Sequence, residues 1–169
     1  TTGSVSSSTT QSSFVGGLVG RNHYNGNIIN CYTTCNVSAN TTSISTTGGF
    51  TANNRGFISK SYATGTVNSS SISSESGGFI GYSIDGIVSD CYSTGNISST
   101  VSNPSFSNCC GSFIGRNDSG DIITCYAVGK PLAIGGIVYT AGFIGFVYNS
   151  APIFNYCYYD MNTTEQMYP

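Results

Sequence analysis

The chain has 169 residues and a formal net charge of −2, and only 7% of them are Asp, Glu, Lys or Arg, against about 25% in an ordinary soluble domain. Its five cations, Arg21, Arg55, Lys60, Arg116 and Lys130, are too scattered for a nucleic-acid surface, and no apolar run approaches the ~20 residues of a membrane-spanning helix. With 38% hydrophobic and 12% aromatic residues it can fill a core, unlike charged, aromatic-poor disordered chains.

Taken in order, the chain opens on Thr2-Gly3-Ser4-Val5-Ser6, the same phrase as Thr94-Gly95-Asn96-Ile97-Ser98, so it starts midway through a repeat. A half-repeat spans 1–15, and full phrases follow at 16–47, 48–76, 77–110, 111–140 and 141–169. Aligned on Tyr32, Tyr62, Tyr92, Tyr126 and Tyr158, the step is about 30 to 34 residues, the range of solenoids. Four residues before each Tyr stand Ile28, Ile58, Val88, Ile122 and Phe154, always apolar and so a core column. Leu18, Phe79, Phe113 and Phe143 form a second one. Two residues before each Tyr stand Asn30, Lys60, Asp90, Thr124 and Tyr156, which vary as solvated positions do. Strict alternation would put the Ile slot and this variable slot on one face. A bulge or corner between them is therefore expected, with the next residue (Cys31, Ser61, Cys91, Cys125, Cys157) turned inward. The pattern leaves open whether the Tyr column faces in or out.

Each phrase offers about four strand-like pieces: GGFIG, the stretch ending in CY, the TGxV stretch, and a weaker Ser-rich piece around Ile44, Ile72 or Phe106. Glycine and serine punctuate them, and no segment has helical periodicity or helix caps. The expected fold is all-β, a parallel β-solenoid of about five turns of ~30 residues. The alternative is a β-propeller-like repeat, whose blades usually need ~40 residues or more.

The phrases GGLVGRN, GGFIGYS and GSFIGRN, followed by G-x-I-x-x-C-Y-x-T-G-x-V-S, resemble the GLUG repeat. The closing NYCYYDMNTTEQM is similar to the ending of such arrays, with Tyr159 where Trp is usual. The resemblance covers nearly the whole chain. It implies a repeat region of a bacterial surface, adhesin-like or secreted protein, and it carries over no catalytic residue.

Seven cysteines in so polar a chain suggest an oxidising compartment. Sequons at Asn36, Asn40, Asn68, Asn96, Asn117 and Asn162 make these six candidate N-glycosylation sites and point the same way, to an extracellular or cell-surface protein. Neighbouring rungs lie ~4.8 Å apart, within disulfide range. Cys91 with Cys125, or Cys125 with Cys157, is therefore allowed, while Cys31 with Cys91 would have to skip a turn. The competing reading is that column cysteines are small buried residues. Cys35, where other repeats have Gly65, Gly95 and Gly129, and Cys109 and Cys110, which have no counterparts, are the stronger candidates for bonds within or between chains.

His23 is the only histidine, which all but excludes a His-based triad or a His-rich metal site, and it reads as a turn residue. Asp85, Asp90, Asp118 and Asp121 are the one concentration of carboxylates. Paired carboxylates could hydrolyse glycosides or hold Ca²⁺, yet turn-forming Asp explains them at lower cost. No enzyme and no cofactor is expected, with Ca²⁺ the one candidate ion. Arg21-Asn22 and Arg116-Asn117 read as solvated corners, with glycan binding the alternative. The Thr64-x-Thr66 pair is too irregular among the repeats for ice binding. A chain that begins in mid-phrase without Met is expected to be a fragment of a longer array or a subunit that continues its neighbour. The expected function is structural, as a subunit of an extracellular fibre stacking copies head to tail through open ends. The alternative is an adhesin module binding glycans or host proteins, and the third reading is the repeat region of a larger secreted enzyme.

Overall fold

The computed structural model describes residues 1–148 and 152–166. The closing Met167, Tyr168 and Pro169, counted in the last repeat, lie outside the described residues. The first turn has five strands: β1 (Ser4–Thr9), β2 (Ser13–Gly16), β3 (Val19–Asn22), β4 (Asn27–Ile29) and β5 (Tyr32–Thr33). The same five recur in four further turns, and every strand pairs in parallel with its equivalent one turn away. Five five-stranded sheets result, and the fold is a parallel β-solenoid. Stacking suits this sequence because one turn has no second layer of its own to cover its apolar edge, whereas a neighbouring turn of the same pattern supplies one.

Two strand assignments need correction. Each turn carries five strands rather than four, and GGFIG is a bend, not a strand. In the second turn one strand ends at Gly48, Gly49 and Phe50 make the bend, and the next strand begins at Thr51. The phrase boundaries thus cut each structural turn at its bend, so that residues 1–15 belong to a complete first turn running from Ser4 to Thr33.

The expected corner before each Tyr is present. Asn30, Lys60, Asp90, Thr124 and Tyr156 all have φ between 50° and 56°. This left-handed step spoils strand alternation, so that Ile58 and Ser61, Val88 and Cys91, and Ile122 and Cys125 all point inward. The main core gathers Ile58, Val88 and Ile122 with Phe50, Phe79, Phe113 and Phe143 and with Ile80, Ile114 and Ile144. Phe50 belongs to that column although the sequence reading omitted it. Its ring stacks on Phe79 at 4.6 Å, and Phe79–Phe113 and Phe113–Phe143 follow at 5.0 Å each. Phe154 keeps its register with Ile122 but is 43% exposed. It lies in the last described turn, with no further turn stacked on it, so it is not a buried core residue.

Between the first and second sheets the interior is largely polar. Ser69, Ser74 and Ser76 form a hydroxyl chain with 3.0 and 2.8 Å links, Ser45 meets Thr47 at 2.8 Å, and Ser99 donates to Asn108 at 2.6 Å. Small side chains let the two sheets lie close, and mutual hydrogen bonds pair the buried hydroxyls of Ser45, Thr47, Ser69, Ser74 and Ser76. Val37, Val67 and Ile97 supply the apolar part. Among the described residues there is one helix, α1 (Met161–Thr164), which follows Tyr158–Tyr159 and is capped by the Asp160 carboxylate. Among the described residues no helix is long and apolar enough to cross a membrane.

Candidate functional site

The bend after the second strand folds the third strand back along it, and glycines bring the two backbones together. A Cβ on Gly115 would fall 2.5 Å from the backbone nitrogen of Ser76, closer than side chains pack. Beyond the glycines the legs diverge into a wedge lined by two facing columns. One is Phe14, Thr46, Glu75, Cys109 and Tyr139 from the second sheet. The other is Arg21, Asn53, Tyr82, Arg116 and Phe146 from the third.

In the later turns large side chains fill the wedge. Tyr139 meets Phe146 at 4.7 Å, and the Arg116 guanidinium lies 4.9 Å from the Tyr82 ring centre and 5.3 Å from that of Tyr148. Arg116 binds both oxygens of Asp118 at 3.0 and 2.9 Å and stands 3.7 Å from Glu75. The Tyr82 hydroxyl donates to Asp118 at 2.6 Å, and Thr46 donates to Glu75 at 2.8 Å. Burial pushes the Glu75 carboxyl above its ordinary range, although the Thr46 hydroxyl and Arg116 pull the other way. Burial, followed by the hydrogen bond to Asp118, likewise raises the Tyr82 hydroxyl.

In the earlier turns the residues are smaller and the wedge opens into a cavity of about 370 Å3. Phe14 forms one wall with the Arg21 guanidinium 4.3 Å over its ring. Thr46, Asn53, Glu75 and Tyr82 line it, with Arg55 and His23 on the rim. Arg55 also hydrogen-bonds the Tyr24 hydroxyl. The sequence reading missed Glu75 and Phe14. Their signal was available only as a register, one residue per turn opposite the Arg column.

The Arg-Asn pairs stand on strands rather than at corners, with Arg21 exposed and Arg116 half-buried. Arg21 and Arg116 point into the wedge, while Asn22 and Asn117 point the opposite way and are buried. Asn22 donates to Asn54 at 2.9 Å, and Asn117 donates to the Gly120 carbonyl at 2.9 Å. Asn117, expected as a glycan acceptor, is 0% exposed, so the folded chain does not offer it. Asn36, Asn40, Asn68, Asn96 and Asn162 are exposed. The first four share the outer face of the first sheet, where strand alternation puts the Asn and the Ser or Thr of each sequon side by side. On that face Asn36 accepts from the Thr66 backbone at 3.0 Å and Asn96 from that of Lys130 at 2.9 Å.

The Tyr column faces outward, with Tyr32, Tyr62 and Tyr92 stacked at 5.1 and 4.8 Å. All seven cysteines are thiols. Cys91, Cys125 and Cys157 occupy one column on successive turns, so pairing between neighbours stays within reach. The column has a structural role of its own. The side chains of Cys31, Ser61, Cys91, Cys125 and Cys157 each donate to the carbonyl two residues back, at 3.4, 2.7, 3.0, 3.3 and 3.5 Å. That carbonyl immediately precedes the left-handed corner, and a small O–H or S–H donor is what the corner requires. Ser61 is therefore no interruption. Cys109 and Cys110 are buried, one in the wedge and one in the core with Val67 and Ile97, and burial pushes both thiols up to about 12. Adjacent in one strand, they point to opposite faces, so neither is placed for a bond to the other or to a second chain. Cys35 is buried as well, and the Thr33 hydroxyl lowers its pKa.

Asp85 and Asp90 sit at exposed left-handed corners, Asp121 accepts from the Ile153 backbone at 3.1 Å, and Asp118 is held by Arg116 and Tyr82. Among the described residues no three His, Cys, Asp or Glu side chains converge as metal ligands. His23 is exposed, packed edge-on to Tyr24.

Neither curated proteins nor solved structures contain a match to this chain. The family model for the GLUG motif matches residues 12–41 and 73–98. Each matched segment contains a second-sheet strand, the glycine bend, the third-sheet strand and the corner before the Tyr. The register repeats this unit through all five turns, and two stretches of the chain carry the GLUG motif.

Proposed function

We propose that the chain is an adhesin-type module of an extracellular or cell-surface protein that binds glycans in the wedge between the second and third sheets. The observation that carries this reading is the half-open wedge itself. Its first three turns leave a cavity with an aromatic face at Phe14, a second ring at Tyr82, and hydrogen-bonding groups from Thr46, Asn53, Glu75 and Arg21 between them. Sugars present apolar C–H faces that stack on rings and hydroxyls that pair with amides, carboxylates and guanidinium groups. The wedge is a scaffold for such contacts, because Thr46, Asn53, Glu75 and Tyr82 stand on strands paired on both sides, with Phe14 and Arg21 on the first-turn strands beside them. The proposal is tested on a glycan array with the wild-type chain and the Phe14→Ala variant. Binding to a defined set of glycans that weakens at least tenfold in the variant supports it. No binding, or binding indifferent to Phe14, overturns it.

A second reading, a fibre subunit, is favoured by the strand edges of the first and last described turns. Among the described residues the strands β1 to β5 and those of the last turn pair on one side only, and apolar Leu18, Ile28 and Phe154 stand half-covered or exposed there. Open parallel edges with the same five-strand phase can accept another turn. Electron microscopy decides this reading: filaments with a regular axial repeat support it, and dispersed single particles at high concentration overturn it.

A further inference from the structure

We infer that the wedge selects an anionic saccharide, one bearing a carboxylate or a sulfate, an inference that rests on the wedge being a glycan site. The chain has five Lys and Arg residues in all and a net charge of −2, yet three of the five, Arg21, Arg55 and Arg116, stand along this one feature. Arg116 is neutralised by Asp118 and Glu75. Arg21 and Arg55 have no acidic partner among the described residues. Their guanidinium groups rest on aromatic rings, Arg21 at 4.3 Å from the centre of Phe14 and Arg55 at 5.2 Å from that of Tyr24.

A guanidinium resting on a ring keeps N–H donors for a further partner, and although Arg55 gives one to the Tyr24 hydroxyl, those that remain match the paired oxygens of a carboxylate or sulfate. Both arginines, with His23, border the same cavity, whose volume of about 370 Å3 falls in the range of small-ligand sites, about 300–1,000 Å3. The one carboxylate lining this cavity, Glu75, is engaged by Thr46 and Arg116 and disfavoured in its charged form by burial. The mouth of the wedge is therefore cationic in an acidic protein. A neutral sugar would leave both guanidinium edges unused.

The test uses matched pairs on one array: sialylated and desialylated glycans, oligouronates and their methyl esters, sulfated and desulfated chains. Each is probed with wild type, the Arg21→Gln/Arg55→Gln double variant, Phe14→Ala, and Lys60→Gln at a corner away from the wedge. The expected result is at least tenfold preference for the charged member of one or more pairs, abolished in the double variant and kept in Lys60→Gln. Which pair responds distinguishes carboxylate from sulfate. Equal binding of charged and neutral members that still needs Phe14 overturns the anionic inference and leaves the glycan site standing. Charged-glycan binding that survives the double variant overturns the assignment to these arginines, and no binding to any glycan overturns both.

Discussion

Two aromatic ladders run along this solenoid at nearly the same spacing, and they separate burial from stacking. Phe79 lies between Phe50 and Phe113, with ring centres at 4.6 and 5.0 Å, and is fully buried. Tyr62 lies between Tyr32 and Tyr92, at 5.1 and 4.8 Å, on the outer surface. Replacing Phe79 by Ala removes the burial of a whole ring and opens a cavity between paired turns that cannot collapse, a loss of about 3–5 kcal/mol. Replacing Tyr62 by Ala removes ring–ring contact and only part of a ring's burial, Tyr62 being half-buried, so about 1–3 kcal/mol is expected. For a chain of this length each kcal/mol lowers Tm by about 2–4 °C, which gives roughly 6–20 °C for Phe79→Ala and roughly 2–12 °C for Tyr62→Ala. Thermal unfolding followed by circular dichroism measures both. Equal losses in the two variants would refute the argument that the inner column, rather than aromatic stacking as such, holds the turns together.

Three further predictions concern single side chains. The folded-state pKa of Glu75 is raised by burial, so its favourable contribution is full below the ordinary carboxylate value of 4.5 and is lost as pH rises from there through the raised value; Tm measured against pH should fall over that window in wild type and flatten in Glu75→Gln. Thr124 is a β-branched residue at φ 54°, so Thr124→Asn should raise stability by about 1 kcal/mol, read as a higher denaturation midpoint at unchanged slope. Cys91 donates to the Ser89 carbonyl at 3.0 Å. Cys91→Ser should therefore stay near wild-type stability, whereas Cys91→Ala, which removes the side-chain donor from that part-buried carbonyl and leaves it the Lys60 backbone bond, should lose about 0.5–1.5 kcal/mol in the same assay.

The repeat period, the inward apolar column and the corner before each Tyr were legible in the sequence, because each is a pattern of residue type at fixed spacing. The corner was recoverable only because Lys60 and Asp90 occupy a slot that alternation would have buried. The serine-lined interior was not legible. Ser69, Ser74 and Ser76 look solvated one by one, and only their mutual hydrogen bonds make them interior residues. Asn117 misled for the same reason: its sequon describes the chain locally, while its burial comes from the fold. The wedge was hidden by distance in sequence. Glu75 and Arg116 are forty-one positions apart, and their meeting depends on a bend at each Gly-Gly-Phe that the sequence reading had made a strand. The column cysteines, legible either as small buried residues or as partners for crosslinks, share with Ser61 the role of donor at one corner.

The most direct test of the glycan-binding wedge is to titrate a saccharide selected from the array into isotopically labelled protein and map the backbone amide shifts by nuclear magnetic resonance. The account predicts shifts gathered at Phe14, Arg21, Thr46, Asn53 and Tyr82, with the outer face of the first sheet and the stacked tyrosines unchanged. Shifts confined to Tyr32, Tyr62 and Tyr92, or to Asn36, Asn68 and Asn96, would contradict it and move the binding surface elsewhere on the solenoid.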